Sequence, residues 1–132
     1  MRMNALIVLI VATLVFAGCS KDSSPASNTP PPTTQTGTIA ITVGGGLNPT
    51  YSWTGGGVVT LVVNQTSGTA GPVWGISSTA GANDIASPVT NGTVPASATE
   101  AFTTGRTLTA GASYMVQVVR LDASFGTVIF SR

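Results

Sequence analysis

From Thr38 onward the chain never sets its apolar residues at helical spacing. Short runs rich in Val, Ile, Thr, Tyr and Trp alternate instead with clusters of Gly, Pro, Asn and Ser, the pattern of strands punctuated by turns. The runs predict seven strands, at about 38–43, 50–53, 58–64, 73–77, 99–103, 113–121 and 127–131. That many short strands in under 100 residues implies an all-β domain of two sheets packed face to face, each strand sending alternate side chains into a shared core. Tyr114, Val116 and Val118 share one face, as do Tyr51 and Trp53. The runs Gly44-Gly45-Gly46 and Gly55-Gly56-Gly57 flank the second strand. Neither leads into a helix through Lys or Ser/Thr, so they read as turns and not as phosphate cradles.

Charge is scarce. Charged residues make up 7% of the chain, against roughly 25% in an ordinary soluble domain. Beyond residue 18, Lys21, Arg106, Arg120 and Arg132 balance Asp22, Asp84, Glu100 and Asp122. Such a surface has no field to steer a nucleic acid, and solubility rests on hydroxyls, amides and exposed backbone.

The N-terminus has a different character. Met1-Arg2-Met3-Asn4 carries one positive charge, and residues 5–17 carry none, with Thr13 their one polar side chain. That run is too short for a transmembrane helix, which needs about 20 apolar residues, and has the length of a signal-peptide core. It ends at Phe16-Ala17-Gly18-Cys19, which contains the only cysteine. No disulfide can therefore form within the chain, and in an exported protein a lone thiol needs another explanation.

Phe16-Ala17-Gly18-Cys19 resembles the lipobox of bacterial lipoproteins. The resemblance implies that Cys19 receives a diacylglycerol, that signal peptidase II cuts between Gly18 and Cys19, and that the new amine is acylated, with palmitate among the usual chains. Two or three chains anchor stably, since each buried CH₂ contributes about 0.8 kcal/mol. The family usually has Leu where Phe16 stands. Ser20 follows the cysteine, where many lipoproteins held at the inner membrane carry Asp, so the resemblance implies residence at the outer membrane. Residues 20–37, with Pro30-Pro31-Pro32, contain no large apolar side chain. They cannot offset ordering entropy by burial and are expected to form a disordered, partly stiff tether reaching tens of Å at about 3 Å per residue. The chain thus divides into a signal peptide (1–18), a lipid-anchored tether (19–37) and a β-domain (38–132).

Two motifs within the domain resemble a family. Tyr51-Ser52-Trp53 followed by the run 58–63 is similar to the second and third strands of fibronectin type III domains. Leu108-Thr109-Ala110-Gly111-Ala112-Ser113-Tyr114 is similar to their tyrosine corner, in which a buried ring returns its hydroxyl to upstream backbone. The resemblance implies a seven-stranded, fibronectin type III-like or immunoglobulin-like sandwich. Ala110 stands where that family commonly has proline, and residues 79–98 are longer than the corresponding loop.

Chemistry is sparse. There is no histidine, which removes the commonest general base and metal ligand. The carboxylates Asp84, Glu100 and Asp122 are the only candidates in the β-domain for a hydrolytic pair. Asn83-Asp84 suggests an Asx turn and not a calcium site, since a hard cation wants six or more oxygens. Trp74 is the candidate binding residue, as a stacking platform for a sugar or an interface anchor, with burial in the second sheet the competing reading. Asn64-Gln65-Thr66 and Asn91-Gly92-Thr93 match glycosylation sequons that have no expected role in a bacterial lipoprotein. The expectation is a non-enzymatic interaction module without metal or cofactor, tied to the membrane through Cys19 and meeting an envelope protein or glycan. A carbohydrate-binding module is the alternative, and a small carboxylate hydrolase the remote one.

Overall fold

The structure, a computed structural model, describes residues 34–132. The expected signal peptide with its cleavage site at Gly18 and Cys19, and most of the expected tether, lie outside the described residues. Nine strands follow in order: β1 (Thr34–Gly37), β2 (Ile41–Val43), β3 (Thr50–Trp53), β4 (Thr60–Gln65), β5 (Gly71–Ser78), β6 (Val89–Thr90), β7 (Ala98–Phe102), β8 (Ser113–Val119) and β9 (Phe125–Ser131). They form two antiparallel sheets, one of six strands ordered β1-β9-β8-β4-β5-β7 and one of three ordered β2-β3-β6. No helix occurs among the described residues.

The alternation read in the sequence is what joins the sheets. Along β8, buried Tyr114, Val116 and Val118 are interleaved with half-buried Met115, Gln117 and Val119. Leu61 and Val63 of β4, Trp74 and Ile76 of β5, and Val128 and Phe130 of β9 complete the inner face of the large sheet. Ile41, Tyr51, Trp53 and Val89 of the small sheet join the same core. Removing this apolar area from water is the main driving force for closing the sandwich. Tyr51 meets Phe130 across the sheets at 6.0 Å between ring centroids, and Phe130 stacks near Tyr114 at 5.8 Å. Contacts of this kind add about 0.5–1.5 kcal/mol beyond burial.

The structure departs from the sequence reading in several places. Among the described residues there are nine strands where seven were expected, because β1 and β6 were not foreseen. Thr34–Gly37 fall in the segment expected to stay disordered, yet they pair residue for residue with Gly126–Ile129 of β9. All four are exposed, so main-chain hydrogen bonds hold β1, a contribution that composition does not reveal. The chain then turns from one sheet to the other. Gly37 has φ 98°, and a side chain there would collide with the Phe125 carbonyl oxygen, which accepts from the amides of both Thr38 and Ile39 at 2.8 and 3.1 Å. This corner delays the first expected strand, so that β2 begins only at Ile41.

β5 begins at Gly71 and so includes Pro72. Proline cannot donate to a ladder, and it is accommodated here by the register shift opposite Val63 and Asn64. Val58 precedes β4 and makes an isolated bridge to Ile85 instead. Residues 120 and 121 leave β8 to form the β8–β9 hairpin turn, in which the Ala123 amide donates to the Arg120 carbonyl at 3.1 Å.

Candidate functional site

Loops from both sheets meet at the end of the sandwich where β3 and β8 begin, and a buried asparagine organises them. Asn91 follows β6 and is 2% exposed. Its Oδ1 accepts from the Tyr51 hydroxyl at 3.1 Å, and its Nδ2 donates to the carbonyls of Gly105 and Arg106 at 2.8 and 2.9 Å. Asn48 adds a second clamp, donating to the Arg106 carbonyl at 2.6 Å. Burial pushes the Tyr51 phenol well above its usual pKa, so the donor in this network stays protonated. The turn after Asn91 depends on Gly92, whose φ is 81° and where a Cβ would strike the Arg106 carbonyl oxygen. The loop joining β7 to β8 is thereby pinned to the small sheet although its neighbouring strands belong to the large one.

That pinned loop forms one wall of a cleft of about 490 Å³. Thr104, Gly105, Thr107 and Thr109 line the wall, and the β4–β5 turn supplies Thr69 and Ala70 opposite. Gly71, Pro72, Val73, Gln65 and Tyr114 complete the lining, which contains no charged side chain. The wall is fixed to β5 by Gly105, whose amide donates to the Val73 carbonyl at 2.6 Å, and by the Thr104 hydroxyl, which donates to the same oxygen at 3.1 Å. Tyr114 is buried, and its hydroxyl accepts from the Thr109 amide at 2.9 Å. The cleft thus offers hydroxyls, one carboxamide and a small apolar surface on a frame whose backbone is internally bonded.

Beside it lies the described residues' one ion pair, Glu100 with Arg106. Glu100 Oε1 accepts from Arg106 Nε at 2.9 Å and from Trp74 Nε1 at 2.9 Å, while Oε2 takes Arg106 Nη2. The Arg106 hydrogen bonds, followed by that of Trp74, hold the Glu100 carboxyl below its ordinary pKa. Trp74 is 0% exposed. It has no face on which a sugar ring can stack, so the expected role of Trp74 as a platform does not stand. The inward side of β5 takes the indole into the core, and Glu100 satisfies its one N–H, as a buried tryptophan requires.

The three candidate carboxylates fall on three separate elements. Glu100 is on β7 and engaged as above. Asp122 sits in the β8–β9 turn, where Oδ1 accepts from the Ser124 amide and hydroxyl at 2.9 and 2.6 Å, bonds that lower its pKa. Asp84 is exposed in the loop between β5 and β6. None of them lines the cleft, and no group of three or more His, Cys, Asp and Glu that could hold a metal exists among the described residues. Of the two sequons, Asn91 is structural and inaccessible, while Asn64 sits half-buried on β4. In the sequence Asn91 stood out only as part of a sequon and Asn48 not at all, because a turn asparagine and a buried network asparagine look identical along the chain. The cleft left no local signal, since its walls are more than 30 residues apart.

No protein-family model matches the chain, and no curated protein or solved structure matches it.

Proposed function

We propose that this chain is a lipid-anchored cell-envelope lipoprotein displaying a small, non-enzymatic β-sandwich that acts by contact. The observation that carries the reading of the domain is the fate of its charged side chains, all of which except Asp84, exposed in a loop and not among the cleft's lining residues, are engaged by the fold. Glu100 and Arg106 bind each other, Asp122 is spent on its own turn, and Arg120 donates to the carbonyls of Gly57, Thr54 and Gly56 at 3.0, 2.7 and 3.2 Å. Arg132 donates to the Gly44 carbonyl at 2.7 Å and covers the Phe130 ring. These groups build the fold, and the one titratable side chain in the cleft lining is Tyr114, which is buried with its hydroxyl held by the Thr109 amide. General acid–base chemistry needs a titratable group within hydrogen-bond reach of substrate, whereas binding does not.

A fibronectin type III-like architecture is supported by strand order and by one bond. The three-stranded sheet β2-β3-β6 faces the run β9-β8-β4-β5, as in that family's sandwich, with β1 and β7 as added edges. The bond from the Thr109 amide to the Tyr114 hydroxyl has the position of a tyrosine corner.

The anchor reading rests on Phe16-Ala17-Gly18-Cys19 and the uncharged run before it. Mass spectrometry of the mature N-terminus tests it directly. The expected product starts at Cys19 and carries a diacylglyceryl thioether, and Cys19→Ser abolishes both the lipid and partition into the detergent phase. An unmodified Cys19 in the mature protein refutes the anchor. Fractionated envelopes then decide the membrane, the expected site being the outer one.

A further inference from the structure

Going beyond display at the membrane, we infer that the cleft between the β4–β5 turn and the β7–β8 loop is a binding site for a short neutral oligosaccharide. Three observations converge on this ligand class. The first is electrostatic. The cleft has no charged side chain, so a charged ligand would give up its hydration without a counter-charge, a cost of several kcal/mol. An ionic occupant is therefore disfavoured.

The second is the chemistry of the lining. Thr69 and Thr109 bring hydroxyls, the Thr107 hydroxyl accepts from Asn48 at 3.4 Å and retains its proton to donate, and Gln65, whose Nε2 donates to the Ser67 carbonyl at 2.7 Å, brings its carbonyl oxygen. A hydroxyl both donates and accepts, which matches the dual character of a sugar hydroxyl. A purely apolar guest would leave these groups unpaired, at about 1–3 kcal/mol for each one buried. Pro72 and Val73 add a small apolar floor suited to the C–H face of a pyranose. The volume of about 490 Å³ lies within the roughly 300–1,000 Å³ of small-molecule sites.

The third is preorganisation. The wall loop is held at the Gly105 amide and carbonyl and at the Arg106 carbonyl by Val73, Asn91 and Asn48, while its threonines line the opening. A wall fixed before binding loses little entropy on binding. β5 lies between β4 and β7 in the sheet, and its Val73 carbonyl is already taken by Gly105 and Thr104, which leaves no open edge there for a peptide strand to add to. With Trp74 and Tyr114 buried, the site lacks an aromatic platform, and its affinity should be weak.

The test uses the full chain in detergent micelles, titrated at millimolar concentration with chitotetraose, cellotetraose and maltotetraose while backbone amide resonances are followed. The first sugar probes for N-acetylated cell-wall glycan and the other two for plain glucans. Saturable shifts confined to residues 65–73 and 104–109 are expected for at least one sugar. Ala70→Trp, which fills the cleft, should weaken binding at least about tenfold, and Thr109→Val, which removes one hydroxyl at nearly constant volume, about two- to tenfold. If Ala70→Trp loses its amide dispersion, Thr109→Val decides. The inference is overturned if none of the three sugars produces shifts, if the shifts map elsewhere, or if neither folded variant weakens them. The outcome for Cys19 does not bear on this result, so the anchor and the cleft stand or fall separately.

Discussion

Asn91→Ala is the substitution that most directly tests how the domain is held together. The change removes the acceptor of the Tyr51 hydroxyl and the donor to the Gly105 and Arg106 carbonyls. Arg106 retains Asn48 at 2.6 Å, and the Gly105 carbonyl loses its bond to Asn91. The Tyr51 hydroxyl is the costliest loss, since the residue is 0% exposed and a stranded buried donor costs about 1–3 kcal/mol. The two bonds to the loop contribute about 1 kcal/mol each, of which the shared one counts for less. The sum is about 3 kcal/mol, a large part of the roughly 5–15 kcal/mol that stabilises a domain of this size.

Urea unfolding followed by tryptophan fluorescence should report that loss as a lower midpoint at unchanged slope, and thermal unfolding as a fall in Tm of about 12–24 °C. The cycle with Tyr51→Phe separates this network from general damage. In the Asn91→Ala background the hydroxyl is already unpaired, so deleting it should cost nothing or even stabilise, whereas in the wild type it should cost about 1 kcal/mol. An Asn91→Ala cost inside the about 0.5 kcal/mol typical of surface positions, or strict additivity with Tyr51→Phe, would refute the reasoning.

Two further outcomes follow from the same geometry. Because hydrogen bonds from Arg106 and Trp74 place the folded pKa of Glu100 below its ordinary 4.5, its contribution is complete above the unfolded pKa and fades as pH falls through the lower folded value. Glu100→Gln should therefore flatten the acid limb of the stability curve below about pH 4.5, measured by urea midpoints across pH, and an unchanged limb would count against the pair. Ala123 adopts φ 65° in the β8–β9 turn, a conformation costing a non-glycine residue about 1–2 kcal/mol. Ala123→Gly should raise stability by up to about 1 kcal/mol after the extra unfolded-state entropy of glycine is subtracted, and thermal unfolding that shows a loss would contradict it.

What the sequence determines by itself here is local and periodic. The two-residue alternation through Tyr114, Val116 and Val118, and the partnership of Tyr51 with Trp53, place these side chains on one face whatever the strand pairs with, so the all-β class and most of the core were legible. Gly and Asn clusters marked the turns because their backbone preferences act within a few residues. What only the tertiary structure decided depends on distant partners. β1 contains no apolar residue, and its pairing exists because β9 offers an open edge. Trp74 had the character of a binding residue, but its exposure depended on which face of β5 met the opposite sheet, and the inward face buried it. Asn91 became a structural linchpin because folding brings Tyr51, 40 residues earlier in the chain, and the β7–β8 loop to its two ends. The cleft arises in the same way, from segments whose adjacency is a property of the packed sheets and of no stretch of sequence.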